Sequence, residues 1–111
     1  MISKENFCPV TATMMVLGGK WKPIILFCLK SGVMRFSELQ KLISGITQKM
    51  LTQQLRELEE DGIIHREVYP VVPPKVEYSL TEYGKSILPI LDSMAEWGEK
   101  HKEKLLQKIA G

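Results

Sequence analysis

The sequence is poor in cysteine and histidine, and this scarcity excludes several kinds of site. Two cysteines, Cys8 and Cys28, are too few for a disulfide framework. Their spacing fits no zinc motif, and the two histidines, His65 and His101, stand apart from them. The chain also has no glycine-rich phosphate loop, no G-x-S-x-G motif and no pair of carboxylates with a cleft signature. We therefore expect no catalytic residue, no metal and no cofactor.

Long hydrophobic runs are absent as well. The longest apolar stretch, residues 24–29, is far shorter than the roughly 20 residues that span a bilayer. The first ten residues, MISKENFCPV, contain no apolar segment of the kind that signal peptides have. These features predict a cytoplasmic protein that does not associate with a membrane.

The composition is that of one small globular domain. The chain has 111 residues, of which 44% are hydrophobic and 25% are charged. The net charge of +2 is unevenly distributed. Residues 1–56 hold eight Lys or Arg and two Asp or Glu, a net charge of +6, whereas residues 57–111 hold seven and eleven, a net charge of −4. A basic first half suits an anionic partner such as nucleic acid.

Capping and breaking residues predict the order of the helices. Pro9 suits the first position of a helix over 10–17, and a second, almost wholly apolar helix covers 20–29. After an extended stretch at 34–36, Ser37 and Gln40 form a capping box that begins a third helix. Thr47 caps a fourth helix over 48–61, which Gly62 ends.

The second half of the chain predicts a hairpin and a long helix. Residues 63–69 and 75–80 alternate as strands around a proline-rich tip. Thr81 caps a last helix that extends to about residue 109. The fold class is therefore mostly α with a small β-hairpin, a winged helix–turn–helix with N- and C-terminal dimerisation helices. Residues 1–111 form a single domain, with N-terminal helices (8–30), a helix–turn–helix (37–62), a wing hairpin (63–80) and a C-terminal dimer helix (81–110).

The helix over 48–61 has two different faces. Leu51, Leu55 and Leu58 form one apolar stripe that should pack on the core. The opposite face, called the polar face below, consists of Gln48, Lys49, Thr52, Gln53 and Arg56. Gln and Arg can bond adenine and guanine through two hydrogen bonds each, so this face suits the major groove of DNA. The acidic residues after it, Glu57, Glu59, Glu60 and Asp61, should point away from phosphates. The alternative is an ordinary amphipathic helix with a solvated face.

Other basic and polar residues are weaker candidates for phosphate contact. Lys75 lies at the predicted wing, where basic residues often meet DNA. Ser37 and Lys41 can contact phosphate from the preceding helix, and Arg35 is a still weaker candidate. Each of them can equally be a solvent-exposed side chain.

Several stretches of the chain, taken together, resemble the HxlR-type transcriptional regulators, which are bacterial winged helix–turn–helix proteins. The matching segments cover the chain from Cys8 to about Trp97 and are Cys8-Pro9, LGGKWK (17–22), RFSEL (35–39), ITQKMLTQQLREL (46–58), Asp61-Gly62 and YSLTEYG (78–84). The resemblance implies a homodimer that binds a pseudo-palindromic operator in double-stranded DNA. It also implies that Thr47–Glu57 holds the recognition surface and that Tyr69–Lys75 forms the wing. Some members respond to electrophiles or oxidants through a cysteine near the N-terminus, the position that Cys8 occupies.

The last helix is the candidate dimer element. Its apolar stripe is longer than one small domain needs, and it consists of Tyr83, Ile87, Ile90, Met94, Trp97, His101 and Leu105. Met14, Met15 and Leu17 of the first helix are expected to complete the interface. The alternative is a helix that packs only within its own protomer.

Cys8 is the candidate sensor of thiol-reactive small molecules. It precedes a helix and stands near Lys4, and both features lower the pKa of a thiol. The hypothesis is that Cys8 forms an intersubunit disulfide or an adduct, against the alternative that it merely packs at the helix start. Cys28, inside an apolar run, is expected to be a small buried hydrophobe.

Three functions from different classes remain. The favoured one is a DNA-binding regulator. A winged-helix module that binds protein would carry acidic or apolar residues in place of the polar face, which this sequence does not have. A small thiol enzyme using Cys8 would need a base beside the thiol, and the sequence places neither histidine there.

Overall fold

The computed structural model describes residues 7–110, and it has six helices and one small antiparallel sheet in this range. The elements follow the chain as α1 (Pro9–Leu17), α2 (Trp21–Leu29), β1 (Met34–Arg35), α3 (Phe36–Leu42), α4 (Gln48–Glu60), β2 (Ile64–Tyr69), β3 (Lys75–Leu80), α5 (Glu82–Lys85) and α6 (Leu88–Ala110). The predicted class, mostly α with a small sheet, is confirmed.

The core forms around α2. Ile25, Leu26 and Leu29 of this helix are buried, together with residues from α3, α4 and the sheet. Leu17, at the end of α1, is also buried in this core. The prediction that Leu17 contributes to a dimer interface is therefore wrong, because its side chain already packs inside its own protomer.

Within residues 7–110, no single helix combines the length and the hydropathy that crossing a bilayer requires. Helices α1 and α2 together have the required length and hydropathy, but only when they are counted as one segment, and they are bent by 75° against each other.

Helix α3 begins earlier than the sequence indicates. Its N-cap is Arg35, whose backbone N–H donates to a carboxylate oxygen of Glu38 at 2.9 Å. Ser37 therefore lies in the first turn of α3 and does not cap it, so the predicted Ser37–Gln40 capping box is wrong. The reason is the strand before the helix: β1 pairs with β3 through Arg35, and the chain passes from strand to helix without a linker.

The sheet has three strands in the order β1-β3-β2. The predicted hairpin is present as β2 and β3, and the extended stretch before α3 adds a short strand to the free side of β3. Ile64 and Tyr78 are buried, so one face of the sheet packs on the helical core.

The predicted long last helix is divided in two. Thr81 caps α5, its hydroxyl accepting the backbone N–H of Gly84 at 2.9 Å, and the chain turns at residues 86–87 before α6 begins. Pro89 explains the break. Proline has no N–H to donate, and its ring would clash with the carbonyl of Lys85 in a continuous helix, whereas near the start of α6 neither effect costs anything.

Candidate nucleic-acid interface

Helix α4 presents the polar face outward. Leu51, Leu55 and Leu58 are buried, as the helical spacing predicts. The five polar-face residues are all exposed, and they are Gln48, Lys49, Thr52, Gln53 and Arg56. The side-chain oxygen of Thr47 accepts the backbone N–H of Met50 at 3.0 Å, which fixes the first turn. At the other end Gly62 adopts φ 75°, a conformation that ends the helix and that favours glycine.

Four polar-face residues line a shallow open groove on α4, and they are Lys49, Thr52, Gln53 and Arg56. The hydroxyl of Thr52 donates to the carbonyl of Gln48 at 2.8 Å, so its proton is already used inside the helix. What Thr52 can offer a ligand is therefore its methyl group and the acceptor side of its oxygen. The groove combines two cationic groups with an amide that both donates and accepts hydrogen bonds.

A second arginine joins this region from the sheet. Arg66 of β2 lines a groove of about 320 Å³ together with Tyr78 of β3 and with Thr52, Leu55, Arg56 and Glu59 of α4. Neither Arg56 nor Arg66 forms a salt bridge with any residue between 7 and 110. Arg66 is not among the residues predicted from the sequence, because the proximity of β2 to α4 is a tertiary feature. The available signal was the strand alternation, which places Arg66 on the same face as the buried Ile64.

An ion pair between the buried Lys22 and the partly exposed Glu57 connects α2 to α4. Lys22 is only 9% exposed, and its Nζ lies 2.7 Å from a carboxylate oxygen of Glu57. The hydrogen bond and the charge of Lys22 lower the pKa of Glu57. Glu57 is thus separated from the exposed acidic group Glu59, Glu60 and Asp61, and it holds α4 against α2.

The candidates on α3 are exposed but lie at different ends of that helix. Ser37 is in its first turn and Lys41 in its last turn. Arg35, the weaker candidate, is also exposed. A phosphate contact by Ser37, Lys41 or Thr47 stays a prediction.

Lys75 does not extend freely from the wing. Its Nζ lies 3.5 Å from a carboxylate oxygen of Glu77 and 4.9 Å from the centre of the Tyr69 ring. A hydrogen bond to Glu77 and the negative charge of that carboxylate raise the pKa of Tyr69. The positive charge of Lys75 is therefore shared with a neighbouring anion before any ligand arrives.

The two cysteines lie in different surroundings. Cys8 is exposed at the N-cap of α1. The backbone N–H groups of Thr11 and Val10 and the hydroxyl of Thr11, all in the first turn of α1, favour the thiolate and lower the pKa of Cys8. Cys28 is partly buried, and burial raises the pKa of its thiol. The predicted influence of Lys4 lies outside the described residues.

Two helices carry apolar side chains that their own protomer leaves uncovered. On α1 these are Val10, Met14 and Met15, the last of them 66% exposed. On α6 only Leu91 is buried, and the exposed apolar residues are Ile90, Met94, Trp97, Leu105, Leu106 and Ile109. Two residues of the predicted stripe do not belong to the exposed face of α6. Ile87 is buried in the core, and Tyr83 lies on α5.

Comparisons with known proteins agree with this architecture. The family described as HxlR-like helix-turn-helix matches residues 16–105. An uncharacterized HTH-type transcriptional regulator of Bacillus subtilis, YdeP, is 58% identical over 105 residues, which are 93% of this chain and 82% of the relative.

Solved structures show the same relationship. The redox regulator HypR in its reduced form is 54% identical, with a TM-score of 0.85 over 90% of this chain and 99% of its own. The reduced form of the transcriptional regulator YodB from B. subtilis is 37% identical, with a TM-score of 0.72 over 85% of this chain and 93% of its own. These relatives are regulators of transcription and not enzymes. The chain belongs to the HxlR-like helix-turn-helix family and is a transcriptional regulator of that family.

Proposed function

We propose that this protein binds a pseudo-palindromic operator in double-stranded DNA as a homodimer and that thiol-reactive compounds control this binding through Cys8. The observation that carries the proposal is the exposed polar face of α4, which stands opposite three buried leucines. That function also implies a cytoplasmic location.

The polar face supports contacts with base edges in the major groove. Gln53 can pair with adenine and Arg56 with guanine, while Lys49 supplies charge toward the backbone. Glu59, Glu60 and Asp61 follow at the exposed end of α4, where they would repel phosphates. The N-terminal turns of α4 therefore enter the groove and its C-terminal end points away from the DNA.

Wild-type binding to DNA tests the proposal directly. Fluorescence anisotropy with the duplex upstream of the protein's own gene, at two salt concentrations and beside a scrambled competitor, measures both affinity and preference. We expect tight binding that resists the competitor and weakens as salt rises. Absence of binding to every duplex at low salt would contradict the proposal and favour a winged-helix module that binds protein.

Dimerisation is supported by the uncovered apolar faces of α1 and α6. One recognition helix contacts only a few base pairs, and a two-fold dimer places two such helices about one turn of DNA apart. Trp97 is 58% exposed and stacks on His101 with ring centres 4.3 Å apart, so it offers a large rigid surface to a second copy.

Changing Trp97 to glutamate is expected to break the dimer. A charge at this position would be buried without a partner, so the dimer dissociation constant should rise at least about tenfold. Analytical ultracentrifugation should show a shift toward the 12.7 kDa monomer. Glu103→Lys, which helical spacing places on the side of α6 opposite the apolar stripe, serves as the matched control and should remain dimeric. A Trp97→Glu protein that still forms full dimers would contradict the role of this face.

The sensor role of Cys8 is supported by its exposure and its lowered pKa, because the thiolate is the reactive form. Three of the similar solved structures concern thiol oxidation or redox state: one YodB structure is of the diamide-treated protein, and HypR has been solved in reduced and oxidized forms. Two thiols give two electrons and two protons to diamide and form a disulfide, whereas an electrophile adds to one thiolate.

Cys8→Ser is expected to abolish the response to diamide and to quinones. Wild-type DNA affinity should change at least about tenfold on treatment, while the variant should bind DNA equally well before and after it. Anisotropy and non-reducing electrophoresis measure the two effects. Cys28→Ser, which removes the partly buried thiol, should respond like wild type. An unchanged response in Cys8→Ser would show that Cys8 is structural.

A further inference from the structure

The register of the wing sorts its side chains onto two faces. Side chains of directly paired residues in antiparallel strands lie on the same side of a sheet. The face that packs toward α4, called the inner face, carries Ile64, Arg66, Val68, Val76, Tyr78 and Leu80. The opposite, outer face carries His65, Glu67, Tyr69, Lys75, Glu77 and Ser79. The two cations of the wing, Arg66 and Lys75, are thus on different faces.

The outer face is a poor surface for phosphate. Glu67 and Glu77 are direct cross-strand partners, which places two carboxylates next to each other. The ring of His65 lies 3.2 Å from Glu67, and the ammonium group of Lys75 lies 3.5 Å from Glu77. Lys75 therefore balances one of the two carboxylates, and Arg35 of β1, the direct partner of Glu77 on the same face, offsets the charge of the other, so the outer face has no net positive charge for DNA.

The inner face has the opposite character. Arg66 is its one charged residue, is exposed, and forms no salt bridge with residues 7–110. Its groove is shared with Arg56 and Thr52 of the polar face and has the buried Leu55 and Tyr78 in its lining. Glu59 is the one carboxylate that lines this groove, and its charge offsets only one of the two guanidinium groups, so the groove keeps a net positive charge. Two guanidinium groups from two different elements thus border one concave surface.

We propose that Arg66 binds a phosphate of the DNA backbone beside the bases that α4 contacts, so that the wing meets the duplex with its inner face and Lys75 makes no phosphate contact. The inference rests on the DNA-binding function proposed above. The forked guanidinium matches a phosphate through two parallel hydrogen bonds. Arg66 would fix the position of α4 in the groove without selecting a base.

A phosphate contact can be tested without knowing the operator, because it also contributes to non-specific binding. Fluorescence anisotropy with a duplex of about 30 base pairs and arbitrary sequence is measured over a series of KCl concentrations. Each phosphate contact contributes about 0.9 to the slope of log K against log salt concentration. Arg66→Ala should therefore lower the magnitude of the slope by about 1 per protomer and weaken binding at low salt about tenfold.

Three further variants distinguish this contact from a general loss of charge. Lys75→Ala removes the same charge from the outer face and should leave the slope and the low-salt affinity unchanged. Arg66→Lys should retain most of the slope. Lys102→Ala removes an equal charge from α6, outside both the wing and α4, and should leave binding to the arbitrary duplex unchanged.

The outcomes separate this contact from the proposed function. If wild type binds and Arg66→Ala has the wild-type slope, the role of Arg66 is overturned while the DNA-binding function stands. If Lys75→Ala lowers the slope and Arg66→Ala does not, the wing meets DNA with its outer face, which also overturns the assignment. If wild type binds no duplex at the lowest salt concentration, the proposed function fails, and the role of Arg66 fails with it.

Discussion

Arg56→Ala is expected to remove the preference for the operator over scrambled DNA. Arg56 is exposed in the middle of the polar face, and no residue between 7 and 110 neutralises it by a salt bridge. An arginine that bonds guanine through two hydrogen bonds contributes about 1–3 kcal/mol of discrimination. A homodimer loses that contact in both half-sites, so specific binding should weaken by roughly 30-fold to 10⁴-fold. Anisotropy against scrambled competitor measures the loss.

A loss of general charge must be separated from a loss of base contact. Lys102→Ala removes one positive charge from the exposed side of α6, well away from α4 in the sequence, and should bind the operator as wild type does. Circular dichroism should show the same helix content in both variants because neither side chain is buried. Full operator preference in Arg56→Ala would mean that α4 does not contact bases through this residue.

Gly84→Ala is expected to destabilise the fold strongly. A Cβ atom at Gly84 would lie 2.0 Å from the carbonyl oxygen of Ile63 and 3.1 Å from its carbonyl carbon. That oxygen also accepts the backbone N–H of Thr81 at 3.1 Å, so it cannot move without disturbing the cap of α5. We expect a loss of about 3 kcal/mol in the free energy of unfolding, at the upper end of the range for overpacking. Thermal unfolding should shift down by about 12 °C.

Gly98→Ala is the matched control for this substitution. Gly98 lies within α6, and apart from its chain neighbours and the adjacent helix backbone, no atom of residues 7–110 lies within 4 Å of an added Cβ. Alanine in a helix is favoured over glycine by about 0.5–1 kcal/mol, so this variant should be as stable as wild type or more stable. A Gly84→Ala protein that unfolds at the wild-type temperature would contradict the close approach of residue 84 to the carbonyl group of Ile63.

Features that depend on neighbours along the chain were predictable. The caps of α4, Thr47 and Gly62, and its buried leucines follow from spacing within one helix, and so does the polar face. The break between α5 and α6 was missed, although Pro89 excludes a continuous helix on local grounds. The start of α3 was missed because a capping box was assigned to Ser37 although Glu38 can serve Arg35 equally well, and strand pairing decides between them.

The sequence by itself determined the helix-rich class, the position of α4 and the side of it that faces out, because helical periodicity is a local property. Only the tertiary structure decided which distant groups meet. Lys22 pairs with Glu57 across 35 positions, and Gly84 contacts Ile63. Leu17 enters the core, and Arg66 and Lys75 take opposite faces of the wing. Such contacts depend on strand register and on how elements pack, and neither is encoded in the spacing of any single segment.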